Sequence, residues 1–242
     1  VRCKTIDVDV PATAEIVIEG RVPANGREME GPFGEYAGYM GAPGNNPVFE
    51  VTAITHRKNP IYQAFISQMP PSESSCIKAF GRENEIRRHL VNNLGLPVAD
   101  VCMPESGSST ATVLVSLKKT NQFQPMKAMF GVWSMNAGLA KIVVVVDDDI
   151  NLRDPFQVDW AIAFRMQPDT DVRIIPNADP ITLDPSQPLR DGKVIPASEQ
   201  VSSKIGIDAT RKHSYPAPSV PPKEHMERVA GQWEKYGIKP VK

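Results

Sequence analysis

A run of five β-branched residues, Ile142 to Val146, constrains the fold of this chain more than any other stretch of its sequence. A strand that is apolar throughout is typical of a parallel sheet covered on both faces, whereas a half-exposed strand alternates apolar and polar residues. Further strand-like segments occur at residues 98–103, 110–117 and 172–175, with helix-like sequence between them. This alternation predicts a layered α/β domain.

The first two helices of that domain are indicated by their end signals and their apolar spacing. Ser72 follows two prolines and is the expected N-cap of a helix that ends at Gly95, with Gly81 as a possible break. A second helix, amphipathic and rich in Met, is expected over residues 125–138. These helices would cover the apolar strands.

A third helix is expected to begin at Asp154, which is followed by a proline and has a glutamine three residues later. Phe156, Trp160 and Phe164 recur every four residues along it. Residues at this spacing lie on one face of a helix, so we expect an aromatic ridge that packs towards the sheet.

The region before Ser72 contains strand-like sequence. Residues 14–22 are β-rich between two prolines, and residues 48–55 alternate well enough for another strand. The whole chain is therefore expected to be α/β, or α+β overall, with a strand-rich region preceding the layered domain.

The C-terminal segment, residues 214–242, is predicted to be an arm. Four prolines within residues 216–222 favour a stiff, extended linker, and residues 223–236 follow as a short helix. One side of that helix would carry Met226, Val229, Ala230 and Trp233. We expect it to dock on a neighbouring subunit.

The overall charge and the cysteine pattern exclude several classes of protein. The net charge is −1, without long runs of like charge, which argues against partners such as nucleic acid or an anionic membrane. No apolar run approaches the roughly 20 residues of a membrane span, and no signal peptide is visible. Cys3, Cys76 and Cys102 form no Cys-x-x-Cys spacing, so we expect reduced, buried thiols in a cytoplasmic protein.

Two glutamates five positions apart, Glu30 and Glu35, are the candidate catalytic residues. Pro32 between them excludes a helix and should hold Gly31 extended, while Gly34 permits a tight or positive-φ turn. If both carboxylates share one partly dry site, one of them will retain a proton near neutral pH, as a general acid must.

The alternative is a solvated turn whose acids are unrelated. In the catalytic interpretation, Phe33 would be an apolar anchor between the two glutamates.

Other candidate sites have weaker patterns. Asp147, Asp148 and Asp149 follow a buried strand, where magnesium and nucleotide ligands often lie, but no phosphate-binding glycine loop accompanies them. A strand-end turn is the alternative. Glu15 and Glu19 would share one strand face and could suggest a metal, although exposed acids beside a strand are commoner. The histidines show no metal-binding spacing, and no nucleophile elbow occurs.

The string from Glu30 to Tyr36 resembles the signature of the UbiD family, the (de)carboxylases that use prenylated flavin mononucleotide (prenylated FMN). Further strings resemble this family in the same order along the chain. They are residues 11–20, 54–62, 140–150 with 158–176, and 205–210.

This resemblance implies a specific domain organisation. Residues 1–72 would be the second part of a split β-barrel that carries the paired glutamates. Residues 73–213 would be the C-terminal α/β domain, and residues 214–242 the Pro-rich arm and terminal helix. Because the chain begins at Val1 without a Met, it reads as a processed or truncated product, with removal of a short leader as the alternative.

The resemblance also implies roles for particular residues. Glu35 would be the acid/base at the carbon that loses carbon dioxide, and Glu30 would orient an arginine that grips the substrate carboxylate. Lys141 would reach the cofactor phosphate. The prenylated FMN would serve as electron sink. The family's arginine and its ligands for Mn²⁺ and K⁺ lie upstream, so the site would need an N-terminal half, in the same gene product or a separate chain.

The expected function is that of a carboxy-lyase for an aromatic or α,β-unsaturated carboxylic acid, assembled as a dimer or hexamer. Residues 67–71 and 176–180 depart from the family's patterns, so the substrate is expected to be unusual. The first alternative is a non-catalytic structural or oligomerisation subunit. The second is a magnesium–nucleotide protein built on Asp147 to Asp149.

Overall fold

The computed structural model describes most of the chain. The described residues are 1–135, 138–181, 183–190, 193–195 and 199–238. They form two units, Val1–Thr210 and Arg211–Lys242. Among these residues, no helix combines the length and the apolar character needed to cross a membrane. The predicted boundaries at residues 72 and 213 stay predictions.

The elements follow one another from a strand-rich beginning to a mixed second part. The strands are β1 (Ile16–Arg21), β2 (Arg27–Glu30), β3 (Gly44–Pro47), β4 (Glu50–His56), β5 (Val98–Cys102), β6 (Thr112–Leu117), β7 (Ile142–Asp147), β8 (Val172–Ala178), β9 (Leu189–Arg190), β10 (Lys193–Val194) and β11 (Ser202–Ala209). The helices are α1 (Glu73–Arg88), α2 (Gln124–Trp133), α3 (Pro155–Arg165), α4 (Pro168–Asp171) and α5 (Lys223–Ala230).

A five-stranded sheet with the order β5-β6-β7-β11-β8 forms the centre of the first unit. Strands β6, β7 and β11 are parallel, and the two outer strands run antiparallel to their neighbours. Val143 to Val146 in β7 are buried on both faces. The predicted α/β fold class is thus confirmed, and each fully buried valine contributes roughly 1.5–3 kcal/mol to folding.

Helices cover both faces of this sheet. On one face, α1 and α2 contribute Ile86, Met129 and Val132 to a core that includes Val143 and Val145. On the other face, α3 packs Val158 and Ala161 against Leu114, Val144 and Val146. The alternate side chains of β7 therefore belong to two separate cores.

The end signals of α1 behave as predicted, but its interior does not. The Ser72 hydroxyl accepts a hydrogen bond from the Ser75 backbone amide at 3.3 Å, which confirms the N-cap. Gly95 adopts a φ of +63° after a π-helical turn over residues 89–93. The break at Gly81 was wrong, because the helix is continuous from Glu73 to Arg88. Helix α2 ends at Trp133, short of the predicted residue 138, and residues 136–137 lie outside the described residues.

The prediction that the aromatic ridge of α3 faces the sheet was wrong. Phe156 is 78% exposed and Phe164 is 69% exposed. The buried residues are instead Val158, Ala161 and Arg165, which lie on another face of the same helix. Val158 and Ala161 are small enough for α3 to lie against β11, and Arg165 pairs with the buried Asp147, which the aromatic spacing does not reveal.

The strand-rich beginning contains two antiparallel pairs. Strand β1 pairs with β4, and β2 pairs with β3. Ile18 and Ile54 are direct partners across the first pair, yet they are 55% and 60% exposed. Within the described residues this apolar face of the β1–β4 pair is not covered.

Glu19 was expected to be an exposed acid, and this was wrong. Its carboxylate is buried and accepts hydrogen bonds from the backbone amides of Lys4 and Thr5 at 2.7 and 2.6 Å. The bond from Lys4 is the largest influence on its pKa, and the amide and hydroxyl bonds together outweigh burial and lower the pKa. Glu19 thus anchors the N-terminal loop to β1.

The second unit contains the predicted arm helix in shortened form. Helix α5 ends at Ala230, and a 3₁₀ turn over residues 234–236 follows Gly231. All residues of α5 are exposed within the described chain, including Met226 and Val229. Docking of this helix on a neighbouring subunit stays a prediction.

The expectation of buried thiols holds for one cysteine. Cys102 is buried, Cys3 is half-buried and Cys76 is exposed. Burial, with a further contribution from Glu83, raises the pKa of Cys102 to about 11. Since thiolates are the reactive form, about one Cys102 in a thousand is ionised at pH 8.

We expect iodoacetamide at pH 8 to alkylate Cys76 in the folded chain and to leave Cys102 unmodified until the chain is unfolded in guanidinium. Peptide mapping by mass spectrometry measures both sites in one sample. Equal labelling of the two cysteines in the folded chain would contradict the packing of β5 described above.

Candidate functional site

The loop between β2 and β3 carries Glu35 and is folded tightly on itself. The Glu35 amide donates to the Tyr39 carbonyl at 2.9 Å, and the Gly41 amide donates to the Phe33 carbonyl at 2.8 Å. Gly34 and Met40 form an isolated antiparallel bridge. The segment is therefore a hairpin within a hairpin, and the prediction that it is non-helical is confirmed.

The glycines of this loop have different roles from those predicted. Gly31 has a φ of +82°, so the expectation of an extended Gly31 was wrong, because a residue without a Cβ can enter this region even before proline. Gly34 does not have a positive φ, and a Cβ there would lie 2.9 Å from Cγ of Gln68, an exposed side chain that can shift. Phe33 is about half exposed, so it is not a buried anchor within this chain.

Glu30 and Glu35 occupy different surroundings. Glu30 ends β2, is exposed, and accepts a hydrogen bond from Nδ2 of Asn46 at 2.5 Å. Glu35 is half-buried, and its Oε1 lies close enough to Gly41 that a Cβ at that glycine would be 3.2 Å away. The Glu35 side chain thus lies against Gly41 of its own loop.

Beside this loop is a cavity of about 810 Å³, bounded by the loop of Glu35 on one side and by residues 179–180 and 183–189 on the other. Apolar side chains such as Met40, Leu183 and Leu189 form much of the wall. Among the described lining residues, those with polar side chains are Glu35, Tyr39, Asp179, Asp184, Gln187 and Gln200. Its volume falls in the range of small-molecule sites, roughly 300–1,000 Å³. Glu30 is not among the described residues that line it.

A second cavity of about 170 Å³ adjoins the first, and both share Ala37, Asp184 and Pro185 in their walls. Lys141, at the start of β7, lines this smaller cavity. Its Nζ donates to Oδ2 of Asp184 at 2.8 Å and to Oγ of Ser186 at 2.6 Å. The charge of Lys141 is therefore shared with a carboxylate of this chain.

The Lys141–Asp184 pair also sets the acidity of Asp184. Burial alone would raise the pKa of Asp184, but the hydrogen bonds from Lys141 and Ser186 outweigh it and lower the pKa. Ser186 donates to Asp184 through both its amide and its hydroxyl, at 3.0 and 2.8 Å. Asp184 thus fixes the turn that both cavities share.

Two of the three aspartates at the end of β7, Asp147 and Asp149, pair with the buried guanidinium of Arg165, whereas Asp148 is exposed. Arg165 donates to Asp147 at 3.0 Å and to both carboxylate oxygens of Asp149 at 2.8 Å. The hydrogen bonds that Arg165 donates to Asp149 are the largest cause of the raised pKa of Arg165. The Trp160 ring lies 5.0 Å from the guanidinium carbon. This arrangement favours the strand-end interpretation over a magnesium site.

The structure also shows where the remaining candidate acids lie. Glu15 accepts hydrogen bonds from the Arg57 guanidinium and the Ile61 amide, which are the main causes of its lowered pKa. Within the described ranges, no three His, Cys, Asp or Glu side chains are placed to hold a metal ion.

The sequence patterns did not predict that the segment around Asp184 lines the candidate site. The available signal was the string Asp184-Pro185-Ser186, which is typical of a turn closed by an aspartate side chain. Its partner Lys141 is 43 positions away, so no local pattern links the two.

Comparisons with known proteins identify the family of this chain. Residues 1–70 match the family described as 3-octaprenyl-4-hydroxybenzoate carboxy-lyase Rift-related domain, and residues 77–209 match the corresponding C-terminal domain. An uncharacterized protein of Archaeoglobus fulgidus is 39% identical over 212 residues, covering 87% of this chain and 42% of that protein.

Solved structures are similar over nearly the whole chain. The UbiD-class enzyme HmfF from Pelotomaculum thermopropionicum, in complex with FMN, is 36% identical with a TM-score of 0.76, and the match covers 95% of this chain and 49% of that one. The closed form of vanillic acid decarboxylase from Sedimentibacter hydroxybenzoicus is 26% identical with a TM-score of 0.73, covering 97% and 49%. The chain spans about half the length of the relatives it matches.

We expect Arg165→Met to reduce the free energy of unfolding by about 3 kcal/mol, because it leaves the buried Asp147 without its guanidinium partner. Asp148→Asn serves as a control, since Asp148 is exposed, and should change stability by no more than about 0.5 kcal/mol. Urea unfolding followed by circular dichroism measures both variants. Equal, small effects would contradict a structural network.

We expect Lys141→Met to lower stability by about 1–2 kcal/mol at pH 7, because it removes a charged hydrogen bond to Asp184. A carboxyl whose pKa is lowered by folding stabilises the protein above its ordinary pKa of about 3.9, and this stabilisation is lost as the pH falls through the lowered value. As the pH falls through this range, the free energy of unfolding should therefore decrease less in Lys141→Met than in the native chain. The exposed Lys118→Met is the control, and an unchanged acid limb in Lys141→Met would be inconsistent with the pair.

Proposed function

The chain belongs to the UbiD family of carboxy-lyases, and we propose that it supplies the second half of the active site of a decarboxylase for an aromatic or α,β-unsaturated carboxylic acid. The observation that carries the proposal is the position of Glu35. Its half-buried carboxyl lies in the wall of a largely apolar cavity of about 810 Å³ that is large enough for a small-molecule reactant.

Glu35 is proposed to move the proton in the reaction. When the substrate carboxylate leaves as carbon dioxide, the carbon that carried it must receive a proton, and a carboxyl group fixed in the cavity wall can donate it. Glu35 then regains a proton from water. In the opposite direction, the same carboxylate removes the proton before carboxylation.

Glu30 is proposed to act by holding another residue. Its exposed carboxylate at the end of β2 bonds Asn46 through one oxygen, which leaves the other oxygen available within the described chain. An arginine from the upstream half of the enzyme would pair with it and grip the substrate carboxylate. Bidentate arginine–carboxylate pairs suit this positioning role.

The two cavities fit a flavin cofactor in size and in donor groups. The larger cavity admits a ring system, and Lys141 in the smaller one provides a cation towards which a phosphate can be drawn, in competition with Asp184. When bound, a prenylated FMN would supply the electron sink at the carbon that loses carbon dioxide. HmfF, the similar UbiD-class enzyme, was solved with FMN.

Metal ions do not fit the described part of this chain, which has no suitable ligand group. We therefore assign Mn²⁺ and K⁺ to the proposed enzyme on family resemblance alone, with their ligands in the upstream half. No step of the proposed reaction is attributed to them.

The proposal includes a partner and an assembly. The upstream half, either part of the same polypeptide or a separate chain, would cover the apolar face of the β1–β4 pair, where Ile18 and Ile54 are exposed. The complete enzyme would be a cytoplasmic dimer or hexamer, with the arm helix α5 in the subunit interface.

We expect Glu35→Gln in the assembled, flavin-loaded enzyme to lower kcat by about 10²–10⁴ while the assembly stays intact, because an amide cannot deliver the proton. Turnover is measured by carbon dioxide release from an aromatic or α,β-unsaturated acid that the native assembly accepts. The control is Glu28→Gln on the exposed strand β2, which should retain native turnover.

Full turnover by Glu35→Gln, with subunits and flavin present in native amounts, would favour the alternative of a non-catalytic oligomerisation subunit. Size-exclusion chromatography and the flavin absorbance spectrum establish that the variant is assembled.

A further inference from the structure

A groove of about 730 Å³ runs along α1 and is separate from the two cavities described above, although Lys78 and Arg82 of the groove contact Tyr36 and Thr110 in the wall of the smaller cavity. It lies between the face of α1, the π-helical turn that follows, and Met135 beyond the end of α2. The residues that line it are different from those of the candidate active site. The proposed decarboxylation does not use this groove.

The groove concentrates positive charge in an acidic part of the chain. Lys78, Arg82 and Arg88 line it, whereas Glu85 is the one carboxylate among the described lining residues. Residues 1–210 as a whole carry a net charge of −5, with 20 Lys and Arg against 25 Asp and Glu. A local excess of cations on a unit with a net negative charge indicates a surface that binds an anion.

Two of these cations lie four residues apart on α1 and repel each other. Arg82 uses Nη1 for the Ser109 carbonyl at 3.2 Å and the Thr110 hydroxyl at 2.9 Å, and Lys78 lies 4.2 Å from the centre of the Tyr36 ring. Within the described residues neither forms an ion pair. Burial and then the charge of Arg82 lower the pKa of Lys78. An added anion would relieve this repulsion.

His89 adds a donor that has no partner. Nδ2 of Asn93 lies 3.1 Å from Nδ1 of His89, and because an amide nitrogen donates, Nδ1 accepts. In the neutral ring the proton is then on Nε2, which is buried and makes no hydrogen bond within the described chain. A buried N–H group without an acceptor is unusual in a native protein.

The helix dipole accounts for only part of this charge. Arg87 and Arg88 occupy the last turn of α1, where cations are favourable whatever the function. Lys78 and Arg82 lie in the interior of the helix, outside its last turn, so the dipole does not account for them. The charge of the groove therefore requires another explanation.

We propose that this groove is a binding site for a phosphate-bearing small molecule, held by Arg82, Arg88 and His89. Guanidinium groups present paired donors that match phosphate oxygens, and the N–H of His89 would gain its missing acceptor. The volume exceeds the needs of a lone phosphate ion, so the ligand is a larger phosphorylated metabolite. The site is independent of the proposed function.

Calorimetric titration of the full assembled enzyme with pyrophosphate tests the proposal. Neighbouring arginines provide a matched pair: Arg88 lines the groove, and the exposed Arg87 does not. We expect saturable binding of one pyrophosphate per chain, weakened about tenfold or more by Arg88→Gln and by no more than about twofold by Arg87→Gln. Both variants lose the same charge.

The role of His89 is tested separately in the same assembly. We expect His89→Phe to weaken pyrophosphate binding, and the ¹⁵N resonance of Nε2 in the native protein to shift on titration. Absence of saturable binding, or equal weakening by the two arginine variants, would overturn the proposal in favour of a diffuse positive surface. Sodium chloride at matched ionic strength controls for screening.

Discussion

The burial of β7 on both faces is the constraint on which the rest of the first unit depends. A strand that is apolar throughout cannot leave either face to water, so helices must cover both, with α1 and α2 on one side and α3 on the other. The polar ends of the strand then fall at the edges of the covered region. Lys141 at one end meets Asp184, and Asp147 at the other meets Arg165. These two charged pairs are thus placed by an apolar segment.

Much of this layered fold could be predicted from the sequence, because its determinants are local. The Val run identifies a doubly covered strand, and Ser72 and Asp154 cap their helices as their positions predict. The orientation of α3 could not be predicted in the same way. Two stripes compete on that helix, and the aromatic one is the more apolar by composition. The stripe of Val158, Ala161 and Arg165 packs against the sheet instead. Arg165 can pair with Asp147 only once the chain has folded, so the local sequence does not reveal this contact.

The candidate site shows the same division between local and distant information. The Glu30–Glu35 string identifies a stiff, non-helical element by its own residues. The surroundings of the two acids depend on residues outside this string: Asn46 for Glu30, and residues 179–180 and 183–189 for the cavity beside Glu35. Spacing alone indicates that two carboxylates are near each other in sequence, but it does not reveal which of them meets a cavity.

The turn that begins at Asp184 stands in the walls of both cavities, with Pro185 beside it. The shapes of the two cavities therefore cannot change independently of each other among related proteins. A substitution or insertion in this turn that reshapes the larger cavity also moves the carboxylate that neutralises Lys141 in the smaller one. A substitution in this turn that changes which reactants fit the larger cavity therefore also changes how Asp184 neutralises Lys141. Such a substitution must be compatible with the functions of both cavities.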